Sequence, residues 1–108
     1  MPLSIKDVME RMPSAFIPEK AQGVEATIQF HFTGNEESDW VAAIKEGACT
    51  VEPGTTPAPT LSLTAESQDY LDVVTGQMDG MKAFMQGKLR LSGDLNLAMK
   101  MLGFFKLG

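Results

Sequence analysis

Residues 24–33 alternate without a break. Val24, Ala26, Ile28, Phe30 and Phe32 fall on one side, and Glu25, Thr27, Gln29, His31 and Thr33 on the other. A two-residue period is the mark of a strand with one covered face and one wet face. One strand cannot hide its own apolar side, so the chain must supply a sheet and a layer to cover it.

The flanking segments meet that demand. Trp40 to Lys45 reads as a second strand, Glu46-Gly47 as a tight turn, and Ala48 to Glu52 as a third strand. Thr60 to Thr64 is a short fourth strand with Leu61 and Leu63 on one face. Lys88 to Ser92 alternates as a fifth, with Leu89 and Leu91 inward and Lys88 and Arg90 outward. The stretch Gly34-Asn35-Glu36-Glu37-Ser38 is a loop, part of an acidic patch with Asp39. Pro53 to Pro59 holds three of the six prolines and is also a loop.

The covering layer is helical. Ile5, Val8, Met9 and Met12 fall at i, i+3, i+4 and i+7, which predicts a helix over 4–12. Ser4 with Asp7 has capping-box spacing, and Pro13 and Pro18 are expected to break or bend the chain. A helix starts at Thr64 or Ala65 and runs to about Thr75, with Leu71 and Val74 inward and Gly76 as its stop. Asp79 can cap a short helix around Met78, Met81, Phe84 and Met85, closed by Gly87. Asp94 caps a last helix through Phe105. The order predicts an α+β fold: a five-stranded, mostly antiparallel sheet covered on one face by helices. The fifth strand, arriving after two helices, is expected to insert beside an earlier strand by a crossover.

The last helix is apolar almost all round. From Leu95 to Phe105 eight of eleven residues are apolar or Ala, and only Asn96, Lys100 and Gly103 form a polar stripe. A surface helix of a small domain needs only a modest apolar face. This one has enough for two apolar neighbours: the sheet, and either a cavity, its own core or a second copy. Methionine is also concentrated here, with five of the eight between Met78 and Met101. Flexible thioethers adapt to ligands of varied shape, and equally fill a core.

The 108 residues fit one domain, 1–108. The net charge of −5 argues against nucleic acid, whose binding requires a basic face. That charge is uneven: residues 1–81 carry a net −9 and residues 82–108 a net +4, the latter from Lys82, Lys88, Arg90, Lys100 and Lys106 against Asp94. The asymmetry reads either as solvated charge or as a basic rim beside an apolar site. One cysteine, Cys49, allows no internal disulfide. With no secretory signal and no run long enough to span a membrane, cytoplasmic location is expected.

Catalytic constellations are missing from the sequence. His31 is the single histidine and sits on the polar side of its strand, and Cys49 reads as a small buried residue. There is no G-x-S-x-G, P-loop or dinucleotide fingerprint. No enzyme activity, cofactor or metal is expected.

Two stretches carry a family resemblance. One is Trp40-Val41-Ala42-Ala43-Ile44-Lys45-Glu46-Gly47, followed by Val51 and Gly54. The other contains Thr75-Gly76-Gln77-Met78, Ala83-Phe84-Met85-Gln86-Gly87-Lys88-Leu89, Ser92-Gly93-Asp94 and Leu97-Ala98-Met99-Lys100. This ordered set resembles the sterol-carrier-protein-2 (SCP2) family over roughly residues 5–104. The resemblance implies an α+β domain whose sheet and helices enclose an apolar tunnel, and a ligand such as a fatty acid, fatty acyl-CoA, phospholipid or sterol-like molecule. Animal peroxisomal members of that family end in an address resembling Ala-Lys-Leu or Ser-Lys-Leu, which Lys106-Leu107-Gly108 does not match, and many relatives carry Gln where this sequence has Leu102.

A cavity is therefore expected between the sheet face of Ile28, Phe30, Ile44, Leu61 and Leu89 and the helices carrying Met78, Met81, Phe84, Met85, Met101, Leu102 and Phe105. The expected role is a lipid carrier, monomeric or weakly dimeric, with transient contact to anionic membranes. The alternative is an accessory or dimerisation module that supplies a lipid to a partner enzyme.

Overall fold

The structure is a computed structural model and describes residues 4–101. Five strands form one sheet: β1 (Ala26–Thr33), β2 (Ser38–Lys45), β3 (Ala48–Pro53), β4 (Leu61–Glu66) and β5 (Leu89–Gly93), in the order β3-β2-β1-β4-β5. Only β1 and β4 pair in parallel; the other three pairings are antiparallel. The register sets one apolar face in rows, such as Cys49–Ile44–Ala26 and Leu63–Leu91 beside Phe30. Among the described residues four α-helices complete the fold: α1 (Ile5–Ala15), α2 (Ser67–Val74), α3 (Gly80–Met85) and α4 (Leu95–Met101). With Phe16 and Ala21 from the segment after α1 they supply the rest of the buried apolar cluster, α1 packing on β3 and α2, α3 and α4 packing at the β4–β5 side.

The first helix is closed as its sequence requires. Ser4 Oγ accepts from Asp7 N at 3.1 Å, and Asp7 Oδ2 accepts from Ser4 N at 3.2 Å. A second carboxylate contact comes from the acidic loop, where Glu36 Oε1 accepts from Ile5 N at 3.0 Å. Ile5, Val8, Met9 and Met12 are buried, as their spacing predicts. The helix does not stop at Met12, however, and continues through Pro13 to Ala15. Proline loses a helical hydrogen bond there, and the buried stripe, reaching Met12 in the last turn but one, outweighs that loss.

Three further differences have tertiary causes. The helix expected from Thr64 or Ala65 begins at Ser67, because Thr64 and Ala65 pair with Arg90 and Leu89 on one side and His31 and Phe32 on the other. Strand β5 makes no crossover; it lies antiparallel to β4 at the sheet edge. The crossover is made instead by residues 54–60, which carry the chain from β3 to β4. Seven residues reach roughly 23 Å, enough for the ~14 Å of three strand spacings.

That loop crosses the sheet face opposite the helices, and Gln29 holds it. Gln29 Nε2 donates to the carbonyls of Trp40 (3.0 Å) and Gly54 (3.1 Å), and its Oε1 accepts from Thr56 N at 2.7 Å. Gln29 was expected on the wet face and is buried. A buried amide is tolerated because both its donor and acceptor sides are used.

Candidate functional site

The two ends of the apolar sheet face are covered differently. At the β3 end, α1 inserts four buried side chains. At the β4–β5 end α2 and α3 are short, and with α4 they lean over the sheet without filling it. Among its six residues α3 buries only Ala83. Asp79 caps it, accepting at Oδ1 from Met81 N (2.8 Å) and Lys82 N (3.2 Å). It ends at Gly87, with Lys88 N reaching Ala83 O at 2.9 Å. Asp94 caps α4 through Leu97 N at 3.1 Å. Gly93 precedes it with φ 106°, where a Cβ would lie 2.5 Å from the Thr60 carbonyl, so this turn requires glycine.

The result is a cavity of about 390 Å³, within the range of ~300–1,000 Å³ that holds small molecules. Its floor is Phe30, Leu61, Leu63, Leu89 and Leu91 of the sheet. One wall is Tyr70, Val73 and Val74 of α2; the opposite walls are Gly80, Met81 and Phe84 of α3 and Leu95, Ala98 and Met99 of α4. Met12 reaches in from α1. Among the described residues nothing charged lines it. Leu97 turns into the core while Leu95 and Met99 border the cavity and solvent, which gives α4 the second apolar neighbour its sequence demands.

Of the residues expected to form the site, Phe30, Leu61, Met81, Phe84 and Leu89 line this cavity. Ile28 and Ile44 share the sheet face but do not line it; both are sealed in the core cluster that includes α1. Met78 is half-buried against the core, and Met85 points away at 80% exposure. Leu102 and Phe105 lie outside the described residues, and of Met101 only the backbone is described. The sequence reading missed Met12, which is seven residues along a stripe otherwise spent on the core, and the whole α2 wall. Its inward Leu71 and Val74 were visible, but the neighbouring Tyr70 and Val73 were not assigned.

Among the described residues Tyr70 is the one cavity side chain with an oxygen or nitrogen atom. Its ring sits edge-on to Phe30 at 6.0 Å and tilted against Phe32 at 4.9 Å between centroids. Burial pushes its phenol above the ordinary value of 10.0, with no hydrogen bond contributing.

The remaining reactive types lie elsewhere. His31 Nδ1 is 2.8 Å from Asp39 Oδ1 on the outer sheet face, a paired and half-exposed couple. Asp39 is thus a strand residue of β2 and not part of a loop. Burial pushes the Cys49 thiol up to about 11, away from nucleophilic use. Among the described residues no group of three or more His, Cys, Asp or Glu could hold a metal, and no helix is long and apolar enough to cross a membrane.

This arrangement has known counterparts. Human sterol carrier protein 2 is 37% identical over 68 residues, 63% of this chain but 12% of that protein. The palmitated SCP2L2 of Aedes aegypti, solved in solution, is 25% identical and superposes with a TM-score of 0.74 over 91% of this chain and 90% of that one. A sec-alkylsulfatase from Pseudomonas sp. shares the fold alone, at 18% identity and a TM-score of 0.82 over 93% of this chain and 16% of that one. The model of the SCP-2 sterol transfer family matches residues 5–106, so the chain belongs to that family.

Proposed function

We propose that the cavity between β4, β5 and helices α2–α4 binds a lipid-like molecule, and that the chain acts as a non-catalytic carrier of it. The observation that carries this reading is an apolar cavity of about 390 Å³ with nothing charged among its described lining residues. Each buried CH2 contributes about 0.8 kcal/mol, so a chain of about twelve carbons offers roughly 10 kcal/mol gross before the costs of binding. The contacts are assigned to Phe30, Leu61, Met81, Phe84 and Leu89, joined by Tyr70, Val73 and Met99. Fatty acids, acyl-CoA esters, phospholipids and sterols all offer such an apolar body. Lys82 and Lys100 flank the exposed Met81 and Met99, and they are suited to meet an anionic headgroup or an anionic bilayer during exchange.

A second reading rests on length. The chain spans 12% of human sterol carrier protein 2 and 16% of the Pseudomonas alkylsulfatase, so the same fold sits inside much larger proteins. As an accessory module it would present its lipid to a partner enzyme.

Native mass spectrometry of the purified protein tests the carrier reading directly. Heterogeneous lipid masses on the folded chain are expected. Dodecanoate at about 100 times its dissociation constant should add roughly 2.7 kcal/mol, on the order of ten degrees in Tm for a domain of this size. A lipid-free protein with no thermal shift across fatty acids, acyl-CoA esters, phospholipids and sterols would overturn the proposal.

A further inference from the structure

Tyr70 stands in an unusual position. Its side chain is more than nine-tenths buried, at 7% exposure. Its ring is fixed by Phe30 and Phe32, so the hydroxyl cannot swing freely. Among the described residues no hydrogen bond engages that hydroxyl, yet no buried side-chain oxygen or nitrogen there lacks a partner. The two facts are compatible only if the hydroxyl opens onto reachable space, and the space Tyr70 borders is the cavity. Facing an apolar cavity, the phenol finds no partner in the protein, and a polar group so placed costs free energy unless something in the cavity pairs with it. A core position needing only volume would be served by Phe.

We infer that the Tyr70 hydroxyl is the polar recognition group of the cavity, donating a hydrogen bond to an uncharged oxygen of an otherwise apolar ligand. This inference rests on the lipid-binding reading and narrows its ligand class. A hydroxyl, ester or ketone oxygen accepts one hydrogen bond from the phenol and leaves no charge behind. A carboxylate at the same place has no cation among the described lining residues, and one neutral donor does not repay its desolvation. Charged ends therefore stay at the mouth, and the interior selects for a neutral oxygen. The phenol suits this role because it remains protonated, and so a donor, throughout the physiological range.

The test compares three probes of equal chain length, 1-dodecanol, dodecane and dodecanoate, on the wild-type protein and on Tyr70→Phe. Binding is read by displacement of a fluorescent fatty acid and by thermal shift. Wild type should hold dodecanol more tightly than dodecane, and Tyr70→Phe should lose that preference by about fivefold while binding dodecane as before, the effect of one net hydrogen bond. The ligand-free Tyr70→Phe protein should be at least as stable as wild type, because the hydroxyl has no protein partner to lose. An unchanged alcohol-over-alkane preference in Tyr70→Phe, or a ligand-free variant markedly less stable than wild type, would overturn the inference and leave the carrier reading standing. A wild-type protein that binds none of the probes would overturn both.

Discussion

One sheet face is used in two ways. At the β3–β2 end, α1 lays Ile5, Val8 and Met9 into the same buried cluster as Ala42, Ile44 and Cys49. At the β4–β5 end the face is equally apolar, but the helices over it keep Met81, Phe84, Leu95 and Met99 substantially exposed. The difference lies in helix length and anchoring. The eleven-residue α1 has a capping box, a further carboxylate contact and a full buried stripe. The six described residues of α3 bury one alanine. Filled packing is concentrated at one end, and exposed apolar surface at the other. A carrier needs both, since a cavity subtracts from the packing that holds a small domain together.

The largest expected effect separates the two ends by truncation. Met9 is 0% exposed, and Met9→Ala should cost about 2–5 kcal/mol, a large share of the ~5–15 kcal/mol typical of a whole domain. Phe84 is 40% exposed, and Phe84→Ala should lose well under the ~3–5 kcal/mol of a buried phenylalanine. Urea unfolding of both variants measures this. Equal losses would mean that the open end is as tightly packed as the filled one.

Enlargement should repeat the contrast in stability and place the loss of binding at the open end. Ala42 is fully buried between Ile28 and Val51 in the register, so Ala42→Phe overpacks the core and should cost at least ~1–3 kcal/mol. Ala98 borders the cavity, so Ala98→Phe should fold with stability within about 1 kcal/mol of wild type while abolishing the thermal shift given by dodecanoate. Ala98→Phe that still binds dodecanoate normally would move the ligand out of this cavity.

Much of this division was legible in the sequence, and the limits are physical. Alternation in 24–33 gave the buried face of β1, and capping residues Ser4, Asp79 and Asp94 marked three helix starts. The floor residues Phe30, Leu61 and Leu89 followed from the same alternation. Ile28 and Ile44 alternate just as well, yet they fall in the filled part of the core. What separates them from Phe30 is sheet order and helix placement, which depend on contacts distant in sequence. Gln29 shows the same limit on the opposite face: its polarity suggested water, and only the crossover loop, tied to Gly54 and Thr56, makes it an interior residue. Tyr70 escaped for a related reason. In an eight-residue helix the inward arc is too short to tell a wall residue from a core residue.

Methionine oxidation should reproduce the contrast chemically without any substitution. Met85 at 80% exposure and Met99 at 58% should form sulfoxides first under dilute peroxide, with Met81 following, while Met9 and Met12 resist until the protein unfolds. A bound dodecyl chain should slow Met81 and Met99, which line the cavity, and leave Met85 unchanged, since it points away. Peptide mass spectrometry reads each site separately. Uniform protection of all three by ligand would indicate a general closing of the domain and not occupancy of one cavity.

The smallest expected effect concerns the anchor of the filled end. The Asp7 carboxyl is held below its ordinary 3.8, first by the Ser4 hydroxyl and then by the Ser4 backbone N–H. A carboxylate whose folded pKa is depressed contributes stability that is fully present above its unfolded value. That contribution is lost as pH falls through the folded value. The α1 cap should therefore loosen below pH 3.8 and be insensitive to pH above it. Asp7 is exposed at the surface, so the change is small and is best seen as a difference between proteins. Asp7→Asn keeps an acceptor oxygen but cannot titrate, and its urea midpoint should fall less steeply than that of wild type as pH drops below 3.8. If the two proteins lose stability in parallel over that range, the capping box is not coupled to folding, and the anchoring of the filled end must rest on the Glu36 contact and the buried stripe of Ile5, Val8, Met9 and Met12.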